Sequence, residues 1–230
     1  RVCDIVADAK SAGYAPVVVV SAMGRENAAY ATDTLINLVK EVNPEPLPRE
    51  LDILLSCGET ICGVLLANQM TAQGMPATFL SGEHAGIVTD GQYGDAHIRY
   101  VKPQRIMECL ENGLVVVVAG FQGVSDTGEL TTLGRGGRDT TAAALGVALN
   151  AEYIDIYTDV EGVMTADPHI VENARLLDSI NYNEICQLAR DGAKVVHPRA
   201  IEIAMQKGTP LRIRSTFLDS PGTYVSNQVY

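Results

Sequence analysis

An α/β protein with strands buried on both faces is predicted by three features of the 230-residue sequence. First, short apolar runs such as Val17 to Val20, Ile53 to Leu55, Val115 to Ala119 and Tyr153 to Tyr157 are almost continuously hydrophobic, as strands of a parallel sheet are when helices cover both faces. Second, segments with helical periodicity lie between and after them, at Thr34 to Val42, Thr60 to Gln73, Pro103 to Asn112, Thr140 to Asn150, Asn183 to Asp191 and Pro198 to Lys207. Third, the apolar runs end in small or polar residues, the composition expected where a doubly wound sheet gathers ligands at the carboxyl ends of its strands.

The bulk numbers agree. A chain that is 47% hydrophobic and 20% charged has enough apolar surface for a full core, in one large domain or two closely joined lobes. No apolar run reaches the roughly 18 to 20 residues that a membrane helix needs, and Arg1 to Lys10 lacks the form of a secretory signal. The expectation is a cytoplasmic protein that meets no membrane. Five cysteines, Cys3, Cys57, Cys62, Cys109 and Cys186, show no paired CxxC spacing, so they read as reduced thiols and no metal site is expected. A net charge of −11 argues against a nucleic acid as partner, because such binding needs a clustered basic face. It leaves room for a small anion, since charge is screened over about 8 to 10 Å at physiological salt.

The segment from Glu129 to Gly146 is the richest in chemistry. Gly134, Gly136 and Gly137 permit close backbone approach and positive φ, Asp139 is placed to cap the following helix, and Arg135 and Arg138 add two guanidinium groups suited to carboxylate or phosphate. A glycine-rich loop that delivers a helix N-terminus favours an anion. It matches neither the P-loop pattern nor the dinucleotide fingerprint, and a tight turn with two solvated arginines remains the plain alternative. Glu59 is a candidate partner for a substrate ammonium, or else an ordinary carboxylate at the start of a helix. Thr158 and Asp159 follow a buried strand, and Thr165 to Pro168 forms a further turn; such side chains suit a nucleotide, although Asp159 and Asp167 also suit plain turns. Lys194 either meets an anion or snorkels to solvent, and His197 beside Pro198 reads as structural.

Taken together, Ser21-Ala22-Met23-Gly24, Ser56-Cys57-Gly58-Glu59, Thr132 to Gly137, Tyr157 to Gly162, Thr165 to Pro168 and Gly192 to Pro198 resemble, in order and spacing, the aspartate kinases of the amino-acid kinase family. The resemblance covers nearly the whole chain. It implies a three-layer αβα sandwich with a mainly parallel sheet of about eight strands. It implies that ATP, with Mg²⁺, phosphorylates the β-carboxylate of L-aspartate to give 4-phospho-L-aspartate, the first step of lysine, threonine and methionine biosynthesis. Carried over by position, Ser21, Thr32, Glu59, Arg135 and Arg138 bind the amino acid, with Glu59 on its ammonium and Arg135 on a carboxylate. Asp139 organises the catalytic cations, Lys194 reaches the phosphates, and Thr158, Asp159, Met164, Asp167 and His169 accompany Lys194 on the nucleotide side. A homodimer is expected.

Three departures from the family pattern stand out. No Lys-Phe-Gly-Gly-Thr strand occurs in residues 1–230, so they read as a catalytic domain without that N-terminal strand, and as given a poorly active one; Arg138 stands where serine is usual, and His169 where arginine is common. Nor does the sequence contain a regulatory ACT domain of the kind expected in a full-length protein. Two alternatives remain open: a family member acting on glutamate, acetylglutamate or uridylate, and an inactive ligand-binding or regulatory subunit.

Overall fold

In the computed structural model, residues 1–24, 28–167, 169–193 and 195–227 are described. The chain divides into two compact units, Val2–Thr141 and Ala142–Tyr230, the second joined by Arg1.

The first unit runs α1 (Val2–Ser11), β1 (Val17–Val20), α2 (Thr32–Val42), α3 (Pro48–Ala72), β2 (Ala77–Leu80), β3 (Ile87–Thr89), β4 (Ile98–Val101), α4 (Gln104–Glu111), β5 (Val115–Ala119), β6 (Gln122–Ser125) and β7 (Leu130–Thr132). It closes with the first turn of α5 (Gly137–Ala148). Strands β1, β5 and β2 form a parallel sheet in that order, with Val17 opposite Val116 and Ala77 opposite Val115. Every residue of β5 is buried, as the unbroken valine run requires: β-branched side chains fit a pleated surface covered on both sides. Cys3 and Val6 of α1 and Ala67 and Met70 of α3 pack with Val20, Val115 and Val117 in one apolar cluster. Gly63 brings α3 close to β2, because a Cβ there would fall 2.4 Å from the Phe79 ring. A second sheet has the order β4-β3-β6-β7, with β3 and β6 parallel and the outer pairs antiparallel.

The second unit contains β8 (Ile154–Thr158), β9 (Ser179–Asn181), α6 (Tyr182–Arg190), α7 (Pro198–Lys207), β10 (Leu211–Ser215) and β11 (Thr223–Ser226). Its sheet order is β8-β10-β11-β9, parallel except between β10 and β11. Alternation sorts the strands: Ile154, Ile156, Leu211, Ile213 and Val225 join the core with Ile185 of α6 and Ala200, Ile201 and Ala204 of α7. On β8 and β10 the intervening Asp155 takes Arg212 in a bidentate pair, at 2.6 and 2.7 Å. Helix α6 starts with a capping box between Asn181 and Glu184. Helix α7 has His197 as N-cap, its Nδ1 accepting the Arg199 N–H at 3.3 Å, Pro198 in its first turn and left-handed Gly208 as its stop.

The α/β class and the mainly parallel pairing agree with the sequence reading. Two features do not: the described strands form one sheet of three and two sheets of four instead of a single sheet of about eight, because the short strands β3, β4, β6 and β7 pair with one another, and one segment changes type. Ile53 to Leu55, expected as a strand ending at Glu59, lies inside the 25-residue helix α3. The physical reason is that both faces of this helix carry apolar residues while the buried face also carries Asp52 and Glu59, which hides the 3.6-residue period.

Candidate active site

The end of β1 and the middle of α3 meet. Glu59 is 3% exposed, and its Oε1 accepts the Ala22 backbone N–H at 3.1 Å. The approach depends on Gly58, since a Cβ there would sit 2.8 Å from that of Ala22 and 3.5 Å from the Tyr30 carbonyl oxygen. Thr32, half-buried, opens α2 two residues beyond Tyr30, so it enters the same neighbourhood through the backbone. Glu59 Oε2 is buried and has no hydrogen-bond partner among the described residues. Burial pushes the Glu59 carboxyl above its ordinary range, and the backbone N–H groups of Glu59 and Ala22 offset this only in part. An open acceptor on a buried carboxylate is what an ammonium ion would satisfy.

The glycine-rich loop reaches this place from the other side. Gly120, just past β5, donates to the Val20 carbonyl at 2.9 Å, and a Cβ on it would lie 2.8 Å from that oxygen and 3.3 Å from Arg138 Cα. The absence of a side chain at Gly120 thus lets the first turn of α5 approach the end of β1. Arg138 Nη1 donates to Ser21 Oγ at 3.4 Å, and its Nε lies 3.8 Å from Asp139 Oδ1. Arg135 sits in the loop before α5 with an exposed side chain and no ion pair among the described residues.

Each loop glycine has its own cause. Gly136 takes φ +74°, whereas Gly134 and Gly137 are needed for space: added Cβ atoms would fall 2.2 Å from Asp95 Oδ1 and 2.9 Å from Leu133 Cβ and Phe121 Cδ2. Asp139 is inside the first turn of α5 and does not cap it, because the helix begins at Gly137. Thr140, which the sequence reading passed over, is 3% exposed and its Oγ1 has no partner among the described residues, while Thr141 Oγ1 donates to the Gly137 carbonyl at 2.7 Å. Its place next to Asp139 at an anion-favouring helix start was the available signal.

Ser21, Arg138 and Asp139 are therefore linked by direct contacts within the first unit, Glu59 joins them through the backbone of Ala22 next to Ser21, and Thr32 and Arg135 adjoin them along the chain. The five residues expected on the nucleotide side that fall among the described residues belong to the second unit. Thr158 ends β8, and its hydroxyl donates to Asp159 Oδ1 at 3.2 Å. Met164 bridges to Leu176, and Asp167 Oδ1 accepts the His169 N–H at 2.8 Å in an Asx turn. Asp159, Asp167 and His169 are exposed. Lys194 lies outside the described residues.

The chain carries mainly parallel α/β sheets, and the amino-acid kinase family model matches residues 1–215; the chain belongs to that family. Within it, the chain is similar to aspartokinases. It is 54% identical over 220 residues to Aspartokinase 1 of Bacillus subtilis (strain 168), covering 96% of this chain and 54% of that protein. It is 48% identical over 225 residues to the aspartokinase of Thermus thermophilus, covering 98% and 54%. Among solved structures, aspartate kinase from Synechocystis superposes with a TM-score of 0.85 at 42% identity, covering 99% of this chain and 37% of that one. E. coli aspartokinase III, in complex with aspartate and ADP, gives 0.77 at 31% identity, covering 86% and 45%. The chain spans about half the length of the curated relatives it matches. The fold class is thus the αβα sandwich expected from the sequence. No helix among the described residues is long and apolar enough to cross a membrane.

Proposed function

We propose that this chain is the catalytic part of an aspartate kinase, which transfers the γ-phosphate of ATP to the β-carboxylate of L-aspartate and yields 4-phospho-L-aspartate and ADP, the entry step to lysine, threonine and methionine. The single observation that carries the proposal is Glu59: a buried carboxylate with one oxygen held by Ala22 and the other open, as a receptor for an α-ammonium group requires. Kinship to aspartokinases supports the choice of amino acid.

The chemistry suits the residues. A carboxylate is already ionised at neutral pH, so it attacks phosphorus without a general base; the barrier lies in bringing two anions together. Arg135 and Arg138 supply positive charge beside the α5 N-terminus, where unpaired N–H groups add to it. Asp139 holds Arg138 and, in this reading, orients the cations that meet the phosphates. Ser21 and Thr32 complete the amino-acid side. Thr158, Asp159, Met164, Asp167, His169 and Lys194 are assigned to the nucleotide, with Mg²⁺ entering as part of the MgATP substrate on its phosphate oxygens.

The proposal includes a cytoplasmic setting, where the five free cysteines stay reduced, and a longer protein with ACT regulatory domains, in keeping with relatives of about twice the matched length. It also includes a homodimer. The exposed residues of α3 from Ile53 to Gln69 are Ile53, Cys57, Ile61, Val64, Leu65, Asn68 and Gln69, a stripe without charge that suits a second copy of itself. The test of function is aspartate-dependent ADP formation with hydroxylamine trapping of the acyl phosphate, in the complete protein. ADP formation with uridylate, glutamate or acetylglutamate and none with aspartate would overturn the assignment.

A further inference from the structure

We infer that Asp52 is a positioning residue that sets the loop carrying Arg135; the inference rests on the aspartate kinase reading of that loop. Asp52 lies in α3 and is 1% exposed, yet no cation faces it among the described residues. Three donors do. Its Oδ2 accepts the Thr132 N–H at 2.8 Å and the Gly94 N–H at 3.0 Å, and its Oδ1 accepts the Thr132 hydroxyl at 2.9 Å.

The contacts tie three segments at one point. Thr132 ends β7, and its carbonyl accepts the Ala96 N–H at 3.0 Å. Ala96 and Leu133 then pair as a parallel bridge, and Gly134 lies so close to Asp95 that a Cβ would fall 2.2 Å from its Oδ1. Arg135 follows three residues after Thr132, so the carboxyl of Asp52 fixes the start of the loop whose arginine reads the substrate carboxylate. Glu59 is seven positions further along α3 on the same buried face, about 10.5 Å in helical rise. One rigid helix therefore spaces the receptor for the ammonium from the anchor of the loop for the carboxylate.

Positioning is separable from stability here. The apolar packing of α3 against β1 and β5 runs through Ala67 and Met70, four and more turns away from Asp52. A buried carboxyl bonded to three donors on other segments is an orienting device rather than a source of cohesion, because an apolar core would pack α3 without it.

The test compares Asp52→Asn, Thr132→Val and Thr132→Ser in the full chain by initial-rate kinetics, thermal unfolding and amide exchange. Asp52→Asn removes the charge that strengthens all three bonds and leaves a single acceptor oxygen for the two N–H groups, and is expected to raise the aspartate KM about tenfold or more while the ATP KM changes less than about twofold. Thr132→Val removes one bond at constant shape, with a smaller shift in the same direction, and Thr132→Ser restores the parent value. Exchange should quicken at Gly94 and Thr132 to Gly134 and stay slow at Ala67 and Met70. A lower melting temperature with unchanged aspartate KM and unchanged loop exchange would overturn the inference. If Asp52→Asn fails to fold, the Thr132 pair decides alone. If the parent protein makes no acyl phosphate from aspartate, the kinase reading falls, and loop exchange in the same variants still decides whether Asp52 orders the loop.

Discussion

Ala22 donates its backbone N–H to one oxygen of Glu59 at 3.1 Å, and the other oxygen of the same buried carboxyl has no hydrogen-bond partner among the described residues. The asymmetry predicts how Glu59→Gln behaves. The glutamine keeps the acceptor for Ala22 and loses the charge, so the aspartate KM should rise about 10- to 100-fold, the loss of a charge-assisted bond. Burial raises the folded pKa of Glu59 above its ordinary 4.5, so the protonated form favours the fold. That contribution is fully present below the unfolded value and is lost as pH rises through the raised one. Binding runs the opposite way: an ammonium needs the ionised form, so aspartate should bind more tightly as pH rises through the folded pKa, and the proton release that accompanies binding should vanish in Glu59→Gln. Calorimetric binding at several pH values checks this, and identical pH profiles for the two proteins would refute it.

Tyr182 predicts stability in the second unit. Its side chain is 1% exposed and its hydroxyl donates to the Thr209 carbonyl at 2.5 Å. Tyr182→Phe leaves that carbonyl without this donor and should cost about 1 to 3 kcal/mol. Burial pushes the Tyr182 pKa from 10 up to about 12. The neutral phenol is favoured in the fold, so its contribution holds below pH 10 and is lost as pH rises toward about 12. Chemical denaturation of both proteins at neutral and alkaline pH reads the difference, which should shrink at the alkaline end.

The strands most legible in the sequence were those with unbroken apolar runs, and the helices most legible were those with strong alternation of faces. Pro198 to Lys207 matches α7 to the residue because Pro, Gly and the apolar period all agree. Helix α3 was half misread for a physical reason. Its outer face is apolar and its inner face carries Asp52 and Glu59, so the usual rule of polar outside and apolar inside is reversed at the residues that matter. The short strands β3, β6, β7 and β9, of three or four residues, are fixed by pairing with distant segments, which leaves almost no local signal. The site motifs were legible as motifs. That Glu59 projects from a helix and not from a strand end, and that Gly120 makes room for Arg138, follow only from tertiary packing.

The uncharged stripe on α3 predicts an interface between two copies. Leu65, 52% exposed, stands near its middle with Ile61 and Val64. Leu65→Glu places like charges close together across a two-fold contact and should convert dimers to monomers with little change in melting temperature at high dilution. Sedimentation velocity over a range of concentrations measures it. An unchanged mass would move the interface elsewhere on the chain.

Asp139 is the site residue with the most specific kinetic signature. It lies in the first turn of α5 beside Arg138, whose Nε is 3.8 Å away and whose Nη1 reaches Ser21. As a carboxylate near a helix N-terminus it also steadies the helix, worth about 0.3 to 1 kcal/mol. That role alone predicts a small loss of stability and no kinetic effect. The proposed role is different: it orients cations where charge develops during transfer. Asp139→Ala should therefore lower kcat by about 10²- to 10³-fold, the range for losing one preorganised electrostatic contact, with the ATP KM nearly unchanged. Asp139→Asn separates the two, because the amide keeps the shape and loses the charge. A kcat for Asp139→Asn close to that of Asp139→Ala assigns the effect to charge. A kcat equal to the parent in both variants, with only a lower melting temperature, would make Asp139 a helix residue and leave Arg138 anchored by Ser21 alone.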